Sequence, residues 1–193
     1  MADPKKIVVI LANPETNFDK RAGIVSELCY TFCDQCVQND LSVDFIDLYK
    51  ERFDPVSYPD EKDSQAIEYQ IRIRKADYLV VFHPVWWGTM PAILKGFCDK
   101  VFQSGYAYIY QGGFTHGLLK EKKAIIIAVS KAPTWEINLV FSNILNVMWK
   151  RAIFDVCGIQ SKFYLFTNLR KVSDSTIDKW HAKMFKLASS IAK

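Results

Sequence analysis

No run of five like charges occurs in the 193 residues, and the formal net charge of +4 is spread along the chain. Nothing therefore marks a nucleic-acid-binding arm. No apolar stretch exceeds about eight residues, well short of the ~20 needed to cross a bilayer, so no membrane insertion is expected. Residues 1–6 lead straight into an apolar run with no h-region or cleavage site, so no signal peptide is expected. The five cysteines are an odd number, in a chain long enough to bury a core without bridges. Free thiols and a cytoplasmic setting follow as expectations. Internal repeats, low-complexity tracts and linkers are also missing, which predicts one domain over residues 1–193. There is no Gly-x-Gly-x-x-Gly fingerprint and no Walker-type loop, against a dinucleotide Rossmann site and a P-loop NTPase. There is no Gly-x-Ser-x-Gly elbow, against an α/β-hydrolase. His83, His116 and His181 are scattered without ligand spacing, so no zinc site is expected.

Half of the residues are apolar and 14% are aromatic, which excludes a disordered or fibrous chain. Residues 7–12, 78–82 and 124–129 are short, continuous apolar runs, the pattern of strands buried on both faces of a parallel sheet. Residues 41–48 and 160–166 supply two further strands. Between them the apolar residues recur at helical spacing. In residues 18–37, Ile24, Leu28, Phe32 and Cys36 share a face, with Val25 and Cys29 beside it. Residues 63–75 predict a helix with Ile67 and Ile71 inward, and residues 91–102 one with Pro91 in its first turn. Residues 137–154 predict one amphipathic helix. Residues 173–192 predict a closing helix capped by Ser173. Residues 103–120 read as irregular, with Gln111-Gly112-Gly113 and His116-Gly117 in a surface loop. The β-α alternation predicts a doubly wound α/β sandwich of three layers. Five parallel strands fit the flavodoxin-like order 2-1-3-4-5 best.

In such sheets ligands sit beyond the carboxyl ends of the strands. Three loops leave those ends: residues 13–17, 84–90 and 130–136. The first opens a helix, so Thr16, Asn17 and the helix amides either bind an anion such as phosphate or simply cap the helix. The second, His83-Pro84-Val85-Trp86-Trp87-Gly88-Thr89-Met90-Pro91, places two tryptophans at a strand end. They either wall a slot for a flat ring or pack on a helix or subunit interface. His83 itself reads as structural. Cys29, Cys33 and Cys36 match the spacing of an iron–sulfur motif, but they lie within a helix rather than a converging loop. They read as small semi-buried thiols.

The run from Pro84 through Met90-Pro91-Ala92-Ile93-Leu94-Lys95-Gly96 to Phe102, followed by Gly105-Tyr106-Ala107-Tyr108, closely resembles the NAD(P)H:quinone oxidoreductases of the flavodoxin-like fold. That group includes the DT-diaphorases and the ancillary flavoproteins of bacterial potassium-efflux systems. Asp47-Leu48-Tyr49, Phe53-Asp54-Pro55 and Ala76-Asp77 add to the resemblance, which covers residues 5–170. It implies a flavin, FMN or FAD, at each of two sites in a homodimer. It implies hydride transfer from NADPH or NADH to flavin N5, and from there to a quinone or nitro acceptor. By motif position Thr16, Asn17 and Phe18 hold the flavin phosphate, and Pro84, Val85, Trp86, Trp87 and Gly88 line the ring. Tyr108 and Tyr110 cover the ring or the acceptor from the partner subunit. The chain departs from the family at two loops. Asn13 stands where the family usually has His, and can still hydrogen-bond a phosphate. Ser130-Lys131-Ala132-Pro133-Thr134-Trp135 replaces a Thr-Thr-Gly-Gly run. Ser130 and Lys131 fall at the cofactor's edge, where Lys131 either favours a negatively charged reduced flavin or faces solvent. Pro133 removes a donor, and Trp135 falls at the acceptor side. The altered loop keeps a second reading open, a flavoprotein-like regulatory subunit that docks to a membrane transporter.

Overall fold

The computed structural model describes residues 4–14, 23–58 and 63–192. Its centre is a five-stranded parallel sheet. The strands are β1 (Lys6–Leu11), β2 (Ser42–Asp47), β3 (Tyr78–Pro84), β6 (Lys123–Val129) and β7 (Gln160–Phe166), in the order β2-β1-β3-β6-β7. A separate antiparallel hairpin, β4 (Tyr108–Gln111) and β5 (Phe114–Gly117), precedes β6 in the chain. Apart from that insertion, the order is the one expected for a flavodoxin-like sheet.

The continuous apolar runs are explained by burial on both faces. Ile7, Val9, Leu11, Val80, Phe82, Ile125 and Ile127 pack under α1 (Ile24–Gln38) and α7 (Asp174–Ala192). The alternate residues Val8, Ile10, Leu79, Val81, Ala124 and Ile126 pack under α2 (Ser64–Arg74) and α3 (Ala92–Val101). The face expected of α1 is the buried one, from Ile24 through Leu28 and Phe32 to Cys36. Ser173 accepts the Thr176 N–H at 3.3 Å, as a helix cap does. Pro91 sits at the cap of α3, one residue before the helix begins.

Three expectations are corrected. Ile67 and Ile71 are exposed, and α2 instead buries Ala66, Tyr69 and Ile73. Tyr69 sets this rotation: its ring packs on Phe53 and Phe97, and its hydroxyl donates to Glu51 at 2.6 Å. Residues 103–120 contain the hairpin, because Gly112 and Gly113 both adopt positive φ, 62° and 81°. That is the conformation a two-residue hairpin turn requires. The single helix over 137–154 is broken at Ser142 and Asn143, both left-handed. It becomes α4 (Thr134–Leu139), α5 (Ile144–Val147), a π-helical segment (Met148–Phe154) and α6 (Asp155–Cys157). Among the described residues no helix is long and apolar enough to cross a membrane.

Candidate functional site

Because the five strands run parallel, β1, β3, β6 and β7 all end at one edge of the sheet. A cleft of about 910 Å³ opens there. Asn13 and Pro14 line it after β1, Pro84 to Gly88 at the end of β3, and Ser130 to Pro133 after β6. It is bounded further by Trp135, Glu136 and Phe141, and by Asn168, Leu169, Arg170 and Lys171 after β7.

The loop after β3 is a tight turn. The Trp86 and Thr89 backbones exchange two hydrogen bonds, both 2.9 Å. Between them Trp87 and Gly88 have φ of +51° and +74°. Glycine adopts this geometry freely, while a tryptophan there is strained. A Cβ on Gly88 would lie 2.7 Å from the Phe141 ring, so the turn rests its glycine directly on that ring. Trp87 is left 97% exposed and Trp86 43% exposed. A large apolar side chain held out in a left-handed turn at the mouth of a cleft is what a ring-binding surface needs. The Val85 N–H is used by the Val129 carbonyl and the Trp86 N–H by Thr89. Of the amides at residues 85–89, those of Trp87 and Gly88 are the ones without a backbone acceptor.

The loops after β6 and β7 are joined to each other. Ser130 donates its N–H to Phe166, Asn168 donates to Ala132, and Leu169 donates to Ser130. The Ser130 hydroxyl accepts from the Ala132 N–H at 3.0 Å, so this buried residue shapes its own loop. Among the described residues, Lys131, Arg170 and Lys171 line the cleft with one acidic residue, Glu136. These three cations among the described lining suit an anionic ligand. Asn13 is buried and donates to the Ser26 hydroxyl at 3.0 Å, which ties the β1 loop to α1.

The cleft thus brings together Asn13, Pro84, Val85, Trp86, Trp87, Gly88, Ser130, Lys131 and Trp135. Thr16, Asn17 and Phe18 lie outside the described residues. Tyr108 and Tyr110 sit on the hairpin and do not line the cleft of their own chain, and Tyr110 is exposed. Sequence reasoning missed Phe141 and the loop after β7. The signal for that loop was present, since the carboxyl end of a fifth parallel strand opens on the same edge as the others.

His83 is buried beneath the cleft. Its Nδ1–H donates to the Pro84 carbonyl at 2.8 Å, and its Nε2 accepts from the Trp149 indole at 3.0 Å. Burial pushes the imidazole from 6.5 down to about 4, against the opposing pull of the Pro84 carbonyl. The stability contributed by neutral His83 is complete above pH 6.5 and is lost as the pH falls through about 4. The loss is expected to reach about 3 kcal/mol. Urea midpoints at pH 7.5 and 4.5 should show a steeper decline for the parent than for His83→Asn. Equal slopes would contradict it. The buried thiols Cys29, Cys36, Cys98 and Cys157, by contrast, are held protonated. Burial pushes Cys36 and Cys157 up to about 12, and among the described residues no cluster able to hold a metal ion occurs.

The family model of the flavodoxin-like fold matches residues 5–185. An uncharacterized NAD(P)H oxidoreductase of Haemophilus influenzae is 32% identical over 149 residues, covering 71% of this chain and 73% of that one. The chain belongs to the NAD(P)H:quinone oxidoreductases of the flavodoxin-like fold. Within this family, an FMN-dependent NADH:quinone oxidoreductase of Clostridium beijerinckii is 27% identical over 97% of this chain and 98% of its own. The crystal structure of Smu.1420 from Streptococcus mutans superimposes with a TM-score of 0.80 at 29% identity, covering 95% of this chain and 98% of that one.

Proposed function

We propose that this chain is a flavin-dependent NAD(P)H dehydrogenase of the cytoplasm, acting on a quinone-like acceptor as a single-domain homodimer. The observation that carries the reading is the turn at residues 86–89. It holds Trp87 fully out at the cleft mouth, with glycine at the one position a Cβ would block. The donor set also fits a flavin. Two adjacent amides suit the polar edge of the ring, aromatic faces suit its plane, and Lys131 and Arg170 suit its negative charge. When bound, the flavin supplies two-electron chemistry, from a nicotinamide to the acceptor.

The protein's part is to bind, orient and exclude water. Pro84 and Val85 form the floor, and their place is set by β3 pairing with β6. The Trp87 and Gly88 amides orient the ring. Lys131 stabilises negative charge that develops on it. Thr16, Asn17 and Phe18, with Asn13, hold the phosphate. Trp135 faces the acceptor, and Tyr108 and Tyr110 reach the ring from the other subunit.

Support for the homodimer comes from the surface of the broken helix. Leu139, Val140, Ile144 and Val147 are all exposed within nine consecutive residues, more apolar surface in one stretch than a monomer usually leaves uncovered. A second copy of this chain is the occupant that completes the site. Light scattering should give twice the 22.2 kDa chain mass for the parent. Leu139→Asp should give the single-chain mass with weaker flavin binding. A parent that scatters as a single chain at micromolar concentration would remove the dimer from the proposal. The flavin itself is tested by titration with FMN and FAD, followed by NADPH and NADH oxidation with menadione. The parent should bind flavin and turn over.

A further inference from the structure

One pair of hydrogen bonds crosses from the cleft floor into the opposite layer of the fold. His83 is 0% exposed and lies one residue before Pro84, which lines the cleft. It spends both ring nitrogens. Nδ1–H is given to the Pro84 carbonyl, and Nε2 takes the indole N–H of Trp149. A carbonyl only accepts and an indole only donates. A neutral imidazole protonated at Nδ1 is therefore the one state that satisfies both partners. Trp149 is itself 1% exposed and stacks on Phe154, with ring centroids 5.3 Å apart and planes at 17°. Both aromatics belong to the π-helical segment Met148–Phe154. Such widened turns cost hydrogen-bond geometry, and they occur frequently at functional sites.

The widened segment has a visible use here. It carries the Trp149 indole to a buried histidine on the sheet. The helix α5 that leads directly into it exposes Ile144 and Val147. The cleft floor is thereby joined, through two side chains and two hydrogen bonds, to the segment that follows this exposed apolar surface.

We propose that His83 is a positioning residue for the flavin site. Its bond to Trp149 holds the Pro84 carbonyl, and with it the ring-binding loop of residues 84–88, in register with the segment Met148–Phe154. The inference rests on the flavin reading above. His83 touches neither cofactor nor acceptor, because it is buried behind Pro84, and it acts only through that residue.

Three substitutions separate the two bonds. Asparagine at 83 keeps an amide donor near the place of Nδ1 and is too short to reach Trp149. Glutamine extends an acceptor toward the place of Nε2. Phenylalanine at 149 keeps the ring stacked on Phe154 and removes only the indole N–H. FMN binding is followed by quenching of its fluorescence, with folding checked by circular dichroism. Trp149→Phe and His83→Asn should each raise the Kd about tenfold, the scale of one lost buried hydrogen bond with its partner left unpaired. His83→Gln, which reaches Trp149 but leaves the Pro84 carbonyl without its donor, should bind as weakly as His83→Asn, because the link needs both bonds. The double variant His83→Asn/Trp149→Phe should bind no more weakly than either single one, since both remove the same link.

A second readout is independent of affinity. In the nitrogen–proton spectrum of the parent, the Trp149 indole resonance should move on saturation with FMN, although Trp149 does not line the cleft. In His83→Asn it should not move. Folded variants that all bind FMN as the parent does would overturn the inference and leave the flavin reading standing. So would a double variant whose loss is the product of the single losses. A parent that binds no FMN would overturn both.

Discussion

Gly88→Val is expected to abolish flavin binding at concentrations where the parent is saturated. Gly88 holds φ +74° and follows Trp87 at +51°. Left-handed backbone costs an ordinary residue ~1–2 kcal/mol, and a β-branched side chain more. The added Cβ would also meet the Phe141 ring at 2.7 Å, so either that ring or the turn must move. Every way of relieving the contact displaces the Trp87 and Gly88 amides or the aromatic wall. A penalty of 1.4 kcal/mol is already tenfold in affinity, and the two effects together exceed it. Gly88→Ala should be milder, since one methyl group leaves Phe141 more room to turn aside. Fluorescence titration with FMN measures both. A Kd for Gly88→Val within about twofold of the parent's, a free-energy change below 0.5 kcal/mol, would show that the turn does not contact the ring.

Trp149→Ala is expected to cost about 3–5 kcal/mol of stability, the range for truncating a fully buried tryptophan. Trp149 is among the largest fully buried side chains, stacked on Phe154 and bonded to His83. Its removal opens a cavity between the sheet and the π-helical segment. It also leaves the Nε2 of His83 without its donor, so desolvation adds to the cavity cost. A domain of this size holds ~5–15 kcal/mol in all, so the loss is a large share. Urea unfolding of the parent, Trp149→Ala and Trp149→Phe orders the terms. The alanine variant should lose several times what phenylalanine loses. Near-equal midpoints would mean that the hydrogen bond, and not the packed ring, carries the stability.

The sheet was legible because its signal is local and repeated. Three of the five strands have runs such as Ile7 to Leu11 or Ala124 to Val129, apolar on consecutive residues, which only two-sided burial explains. Topology then follows from the alternation with helices. The cleft was legible for the same reason: three of its loops are where strand ends fall in a parallel sheet. What escaped detection depends on contacts between distant segments. The Ile67 and Ile71 pair has perfect helical spacing, yet α2 turns Tyr69 inward because Phe53, Phe97 and Glu51 wait there. The break at Ser142 and Asn143 interrupts an otherwise continuous apolar period. Its cause is two polar residues that tolerate left-handed backbone, a weak signal beside six or seven apolar matches. The hairpin is a different case. Gly112-Gly113 between Gln111 and Phe114 is a direct two-residue turn signature, with aromatic Tyr110 and Phe114 close on either side.

The most direct measurement of the central claim is the visible spectrum of the protein reconstituted with FMN and freed of excess cofactor. A retained flavin band is expected, perturbed from that of free FMN by the aromatic wall of Trp86 and Trp87. The band should bleach when NADPH or NADH is added without oxygen and return on addition of menadione. A folded protein that emerges colourless, or a flavin band that neither nicotinamide bleaches, would contradict it.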